Sequence, residues 1–366
     1  MEKILSITQQ FALPERPISV SPLGAGFIND TYLVDTQKTI KYILQRKNAS
    51  IFKNIPGLVD NICQVTQHIK KKAMALRKDP ERSALTLYPA LDGKFYYVDD
   101  EQSYWVCMYF IPNTQCFETA SSPALAYSGG VGIGQFQQLL SDFTHDLAEV
   151  LPGFHDIRYR FLQWDNALIE DRAARVKELA LEIDWIEQRR DEMLTFKKLI
   201  EEKTIPPRVS HNDTKISNIL FDQKGEVLCM IDLDTLMKSS VLYDYGDAIR
   251  SYTNTSAEDE VHPERVGMHP EFFKEFSRGY LSYTHHFLTE PEVLWLAFAA
   301  KYITFEQVLR FLMDYINGDR YYKIAYPTHN LIRTHAQYAL LLSMEKVYPA
   351  MQDTVSEIYL SLRFSK

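Results

Sequence analysis

Cysteine is scarce in this chain, long apolar runs are missing, and basic residues are outnumbered by acidic ones. The four cysteines, Cys63, Cys107, Cys116 and Cys229, form no C-x-x-C pair and have no histidines at metal-ligand spacing. They are too sparse for a disulfide scaffold and suit a reducing compartment. The longest fully apolar stretch, Val293 to Ala300, is too short to span a bilayer. Met1 to Glu15 lacks the apolar run of a signal peptide. A cytoplasmic protein with no membrane partner is expected. Lys and Arg total 40 against 48 Asp and Glu, a net charge of −8. A general nucleic-acid binder needs a basic surface to displace counterions from phosphates, so no nucleic-acid partner is expected either. The ten histidines include no H-E-x-x-H, which argues against a zinc enzyme.

What is present is a chain of 366 residues, 46% hydrophobic and 24% charged, more than a single core usually supports. Its first part reads as strands: Ile18 to Leu23, Ile28 to Val34 after a Gly24-Ala25-Gly26 turn, and Thr39 to Leu44. A helix then opens at Pro56-Gly57, with Leu58, Val59, Ile62, Val65 and Ile69 on its apolar face. Phe95 to Val98 and Tyr104 to Ile111 read as two more strands. From Ala124 the periodicity is mainly helical, including a long charged helical region from Asp171 to Lys203. A compact hairpin from Asn218 to Ile231 interrupts it, turning at Gln223-Lys224-Gly225. The expected architecture is α+β, with a strand-rich lobe over 1–112 and a mainly helical lobe over 113–366.

Chemistry concentrates in His211-Asn212-Asp213-Thr214-Lys215-Ile216-Ser217-Asn218, followed by Ile231-Asp232-Leu233-Asp234. Phosphoryl transfer needs a carboxylate at the acceptor hydroxyl, oxygen ligands for Mg²⁺ and positive charge against the phosphates. The order His211, Asp213, Asn218 has the H-x-D-x-x-x-x-N spacing of a kinase catalytic loop. The hairpin returns Asp232 beside Asn218, where an amide oxygen and a carboxylate are suitable Mg²⁺ ligands. Lys215, two residues after Asp213, is placed for the transferring phosphoryl group. A lone H-x-D or D-x-D is ordinary turn chemistry; loop, hairpin and D-x-D together are not.

These motifs resemble the aminoglycoside phosphotransferase and choline kinase superfamily of small-molecule kinases. The resemblance is closest to N-acetylhexosamine 1-kinases, through Gly26 to Tyr32, Tyr42 to Arg46, His211 to Asn218, Tyr243 to Arg250 and Arg310 to Tyr321. More general members often read His-Gly-Asp, whereas this chain has Asn212.

The resemblance implies a two-lobed protein-kinase-like fold, ATP and Mg²⁺ as cofactors, and a sugar as the small-molecule partner. Asp213 and Lys215 are then catalytic, Asn218 and Asp232 hold the metal, and Asp234 is an accessory ligand. Gly24 and Gly26 cover phosphates, and the third strand supplies a cation, with Arg46 preferred over Gln45 or Lys41. Asp60 on the following helix is read as a solvated carboxylate. Backbone at Tyr109 and Ile111 contacts adenine, while Arg310 and Tyr321 contact the sugar. Asp244 and Asp247 are read as carboxylates that cap a helix start. The rivals are a kinase for choline, an aminoglycoside or homoserine and, outside enzymology, a kinase-like binding module.

Overall fold

The computed structural model describes residues 1–24 and 28–364. The chain forms two compact units, one of residues 1–116, 139–152 and 218–238, the other of 117–138, 153–217 and 239–366. The hairpin after the catalytic loop thus groups with the N-terminal strands, whereas a single break at 112 assigns it to the helical lobe.

In chain order the first unit opens with α1 (Glu2–Thr8), β1 (Pro17–Pro22), β2 (Asp30–Thr36), β3 (Tyr42–Lys47), α2 (Ile55–Ala75) and α3 (Pro80–Ser83). It continues with β4 (Leu87–Tyr88), β5 (Tyr97–Val98), β6 (Tyr104–Tyr109) and β7 (Thr114–Gln115). The second unit contributes α4 (Pro123–Leu139), α5 (Ile157–Glu170), α6 (Ala180–Glu187), α7 (Arg190–Glu201) and β8 (Arg208–Ser210). Then β9 (Ile219–Asp222) and β10 (Val227–Met230) return to the first unit. The second resumes with α8 (Val241–Tyr252), α9 (Pro270–Thr284), α10 (Glu290–Ile316) and α11 (His329–Phe364).

The first unit is built on an antiparallel sheet in the order β1-β2-β3-β6-β4, with β5 also on β6. Alternation puts Tyr42 and Leu44 on one face of β3, in a core with Ile7, Phe11, Val34, Trp105 and Cys107. β3 ends at Lys47, three residues beyond the Leu44 limit read from the sequence. α2 starts at an Asn54 cap that accepts from Gly57, with Pro56 in its first turn.

The charged helical region expected from 171 to 203 is two helices, α6 and α7. At its start Asp171 closes α5 in a left-handed conformation (φ 38°), and its Oδ1 accepts from the backbone of Arg175 (2.8 Å) and Val176 (3.1 Å). Such local side-chain-to-backbone bonding competes with helix formation there. In the second unit α8 crosses α10 closely. A Cβ on Gly246 would lie 2.3 Å from the Ala299 carbonyl oxygen, so only glycine permits this approach. Among the described residues no helix is long and apolar enough to cross a membrane.

Candidate active site

Within the first unit, β9 and β10 form a hairpin whose open end carries Asn218 and Asp232. The Ile231 N–H donates to the Asn218 carbonyl at 2.9 Å just beyond the strands, which brings the backbone preceding Asp232 beside Asn218. Asp232 sits at φ 56°, ψ 54°, a left-handed conformation that costs a non-glycine residue of order 1–2 kcal/mol. Such strain persists where the surroundings impose it, most often at functional sites. A short helical turn, Leu233–Thr235, follows. It is tethered to α2 by Asn61, whose Nδ2 donates to the Leu236 carbonyl at 2.8 Å.

Asp234, in that turn, is buried and fully engaged. Lys47 Nζ donates to its Oδ1 at 2.6 Å and Asn29 Nδ2 to its Oδ2 at 2.7 Å. Lys47 Nζ also reaches Gln45 Oε1 at 2.7 Å. The buried cation at the end of β3 is therefore Lys47, which the sequence reading did not consider, with 2% of its side chain exposed. Arg46 lies on the opposite face of the strand, 43% exposed and paired with Asp30. Lys41 pairs with Asp35 at 2.9 Å. Asp60 is exposed and accepts from Gln64, as a solvated helix-face carboxylate should. Asp234, expected as a metal ligand, has both carboxylate oxygens committed to Lys47 and Asn29.

Gly24 has φ +70°, and a Cβ there would meet no described residue within 4 Å, compatible with a turn over a ligand. Gly26 lies outside the described residues. In β6 the Tyr109 N–H donates to the Thr86 carbonyl at 2.8 Å and the Phe110 N–H to that of Lys41 at 3.0 Å. Tyr109 has thus spent its donor on the sheet. Ile111, just past it, is buried, and its carbonyl accepts from the Thr114 hydroxyl at 3.2 Å.

Within the second unit, β8 delivers the loop that bears Asp213. Its backbone is held by two buried carboxylates of α8. Asp244 Oδ2 accepts from the His211 N–H at 3.1 Å and Oδ1 from the Asn212 N–H at 2.7 Å. Asp247 Oδ2 accepts from the Thr214 N–H at 2.9 Å, and the Thr214 hydroxyl donates to the Asp244 carbonyl at 2.6 Å. The Asp213 N–H donates to His211 Nδ1 at 3.3 Å, a local reason for histidine two positions before the aspartate. Asp244 and Asp247 are not helix caps, because Ser240 fills that place by accepting from Leu242. Burial pushes the Asp244 carboxyl above the usual range against the pull of His211 and the N–H donors. Burial acts the same way on Asp247, but Arg250 and Lys215 outweigh it and hold that carboxyl low.

Asp213 itself pairs with Lys215 at 3.0 Å, and the carboxylate raises the Lys215 pKa. Lys215 is half exposed, so this pair is worth little as stability. Behind the loop, His155 bonds the Asn212 carbonyl at 3.1 Å and Glu306 of α10 at 2.7 Å. The sequence reading missed His155, an isolated histidine without motif. One helical turn further along α10, the Arg310 guanidinium stands 5.8 Å from the Phe154 ring centre, 5.7 Å from Tyr321 and 5.6 Å from Tyr322. Its hydrogen bond to Gln307 is long, at 3.4 Å. The two tyrosines are presented by a turn wrapped on Asp314, which accepts the N–H groups of Arg320, Tyr321 and Tyr322 at 2.9–3.0 Å. Tyr321 is 60% exposed. The structure brings Arg310 and Tyr321 together, adds Phe154 and Tyr322, and links this cluster through Glu306 and His155 to the Asp213 loop.

Residues 19–290 match the phosphotransferase enzyme family. The chain belongs to that family. It is a phosphotransferase, and its antiparallel-sheet unit and helical unit are those of a kinase-like fold. It is similar over 96% of its length, and 98% of the other chain, to a microcompartment-associated aminopropanol kinase (15% identity, TM-score 0.64). An aminoglycoside phosphotransferase from Alicyclobacillus acidocaldarius subsp. acidocaldarius DSM 446 matches over 96% and 95% of the two chains (12% identity, TM-score 0.60). A choline kinase from Cryptosporidium parvum Iowa II matches over 98% and 99% (13% identity, TM-score 0.57). At these identities the likeness is one of fold.

Proposed function

We propose that this phosphotransferase transfers the γ-phosphoryl group of ATP to the anomeric hydroxyl of an N-acetylhexosamine, giving the sugar 1-phosphate and ADP. The observation that carries the acceptor class is the Arg310 cluster. A guanidinium with donors to spare, flanked by aromatic rings, suits a neutral acceptor rich in oxygen. Ring faces pack on the C–H face of a sugar, and the guanidinium donates to hydroxyl or acetamido oxygens. The same positive charge disfavours the ammonium groups of choline or an aminoglycoside.

In the reaction the sugar O1–H attacks the γ-phosphorus, the bond from that phosphorus to the β,γ-bridging oxygen breaks, and ADP leaves. Asp213 orients the hydroxyl and accepts its proton. An anomeric hydroxyl is more acidic than an ordinary alcohol, so positioning outweighs base strength. Lys215 stabilises charge on the transferring phosphoryl group. Lys47 serves the α- and β-phosphates in place of Arg46, with Asp234 as its counter-ion rather than a metal ligand. Asn218 and Asp232, which the backbone carries at the hairpin's open end, have hard oxygen donors that suit Mg²⁺, which binds through one or two side chains together with substrate phosphates. When bound, Mg²⁺ neutralises phosphate charge. Gly24, Gly26 and the backbone at Ile111 contact the nucleotide.

The test is ADP release with N-acetylglucosamine, N-acetylgalactosamine, their parent sugars, the 1-O-methyl glycosides, choline, aminopropanol and an aminoglycoside. The N-acetyl sugars should exceed the parent sugars about tenfold, the worth of one hydrogen bond of about 1.4 kcal/mol. Methyl glycosides should be inert. Preference for an amine-bearing alcohol would move the acceptor to that class.

A further inference from the structure

His155 is buried, and its ring has only one fully bonded state. Nδ1 lies 2.7 Å from Glu306 Oε2 and Nε2 lies 3.1 Å from the Asn212 carbonyl oxygen. A carbonyl only accepts. The other Glu306 oxygen takes the Arg160 Nε–H at 3.3 Å, which keeps that carboxylate ionised. A neutral imidazole carries one N–H and would leave one of these contacts unmade; an imidazolium makes both. The histidine is itself fixed in place. Its backbone has φ 55°, its carbonyl accepts the Tyr302 hydroxyl at 2.9 Å, and its ring packs 4.2 Å from Phe154 and 5.3 Å from Tyr243.

The residue it grips is unusual too. Asn212 adopts φ 65°, a left-handed conformation that costs an L-residue about 1–2 kcal/mol and needs partners to hold it. Asp244 accepts the Asn212 N–H in the peptide group before its Cα, and His155 bonds the Asn212 carbonyl in the peptide group after it, so the residue is held on both sides. Asp213 is the next residue, so the direction of its Cα–Cβ bond follows from how Asn212 is clamped.

We propose that His155, as an imidazolium bridging Glu306 to the Asn212 carbonyl, is a positioning residue that fixes the aim of Asp213 and makes the catalytic loop sensitive to alkaline pH. This rests on the reading of Asp213 as the group that takes the acceptor proton. The groups facing His155 are Glu306 from α10, with Arg310 one turn on, Arg160 from α5, and Asp247 and Tyr243 from α8. Burial opposes the charge on the ring, but Glu306, the Asn212 carbonyl and Asp247 outweigh it, so the pKa is raised. The clamp is therefore closed below that raised pKa and opens as pH rises through it.

The experiment compares wild type, Glu306→Gln and His155→Gln. In wild type, ¹⁵N NMR of histidine-labelled protein should show both His155 ring nitrogens protonated at neutral pH. The midpoint of its titration should coincide with the alkaline limb of kcat. Glu306→Gln removes the negative partner and should move that limb down by about one pH unit or more. His155→Gln keeps one donor for the Asn212 carbonyl; it should retain about a tenth of kcat, leave KM for ATP within about twofold and lose the limb. Amide resonances of residues 211–214 should move with the His155 titration whether or not Asp213 is the base, which separates failure of the clamp from failure of the catalytic reading. A His155 ring with one bare nitrogen at neutral pH, or a limb unchanged in both variants, would overturn the proposal. Should either variant fail to fold, the wild-type titration alone decides.

Discussion

Lys47 in the strand-rich unit and Asp213 in the helical unit are both proposed to act on phosphate chemistry, yet they are secured in opposite ways. Lys47 is a buried cation whose charge is balanced by one carboxylate, Asp234, at 2.6 Å. Asp213 is a half-buried side chain on a loop whose backbone is held by Asp244, Asp247 and His155. In the first case the functional group is itself part of the fold's electrostatics. In the second, the scaffold is complete without the functional side chain. The difference teaches that activity and stability should separate at Asp213 and stay coupled at Lys47.

The largest effect is expected from Asp213→Asn. The substitution preserves shape and leaves the loop's backbone bonds in place, so kcat should fall by about 10²–10⁴ with little change in melting temperature. Steady-state ADP release and a thermal melt measure the two sides, and near-wild-type turnover would remove Asp213 from its role. Next is Lys47→Met, which leaves Asp234 buried without its cation. It should cost about 3–5 kcal/mol by denaturant unfolding and abolish turnover. The double variant Lys47→Met/Asp234→Leu should recover most of the stability and none of the activity, which pries the two properties apart where wild type joins them.

Asp244→Asn probes the scaffold side. The amide retains an oxygen for one loop N–H but not for both, and a loss of about 1.5–3 kcal/mol is expected, with kcat falling through the loop rather than through chemistry. The smallest effect is in acid. Burial would raise Glu306, but His155, Arg160 and Arg310 outweigh it and lower its pKa to about 2. A lowered carboxyl contributes stability above the ordinary range near pH 4.3 and loses it as pH falls toward the folded value. Acid unfolding of Glu306→Gln should accordingly show a shallower dependence on pH between about 4 and 2 than wild type.

The loop and hairpin proposed as the catalytic centre were legible because phosphoryl-transfer chemistry sets residue types at fixed spacing: His211, Asp213, Asn218 and Asp232 precede and close a β9–β10 hairpin in the structure. The cluster proposed to hold the acceptor was legible in part, since Arg310 and Tyr321 were named while Phe154 and Tyr322 were not. Lys47 was hidden by a strand end. Ending β3 at Leu44 leaves Lys47 in a turn, whereas the strand runs on and period-two alternation swings Lys47 to the face of Gln45 and Arg46 to the other. Asp244 and Asp247 were misread because carboxylates near a helix start usually cap it; here Ser240 caps, and both carboxylates are buried against the loop, accepting the N–H groups of His211, Asn212 and Thr214. His155 gave no signal at all, since its partners come from residues 212 and 306, far along the chain.

The central claim is that this phosphotransferase acts at the anomeric position of an N-acetyl sugar, and locating the phosphate on the product tests it most directly. After incubation with ATP, Mg²⁺ and N-acetylglucosamine or N-acetylgalactosamine, ³¹P–¹H correlation NMR should connect the new phosphorus to the anomeric proton. Correlation to a proton at another ring carbon, or no sugar phosphate from either sugar while an amine-bearing alcohol is phosphorylated, would contradict it.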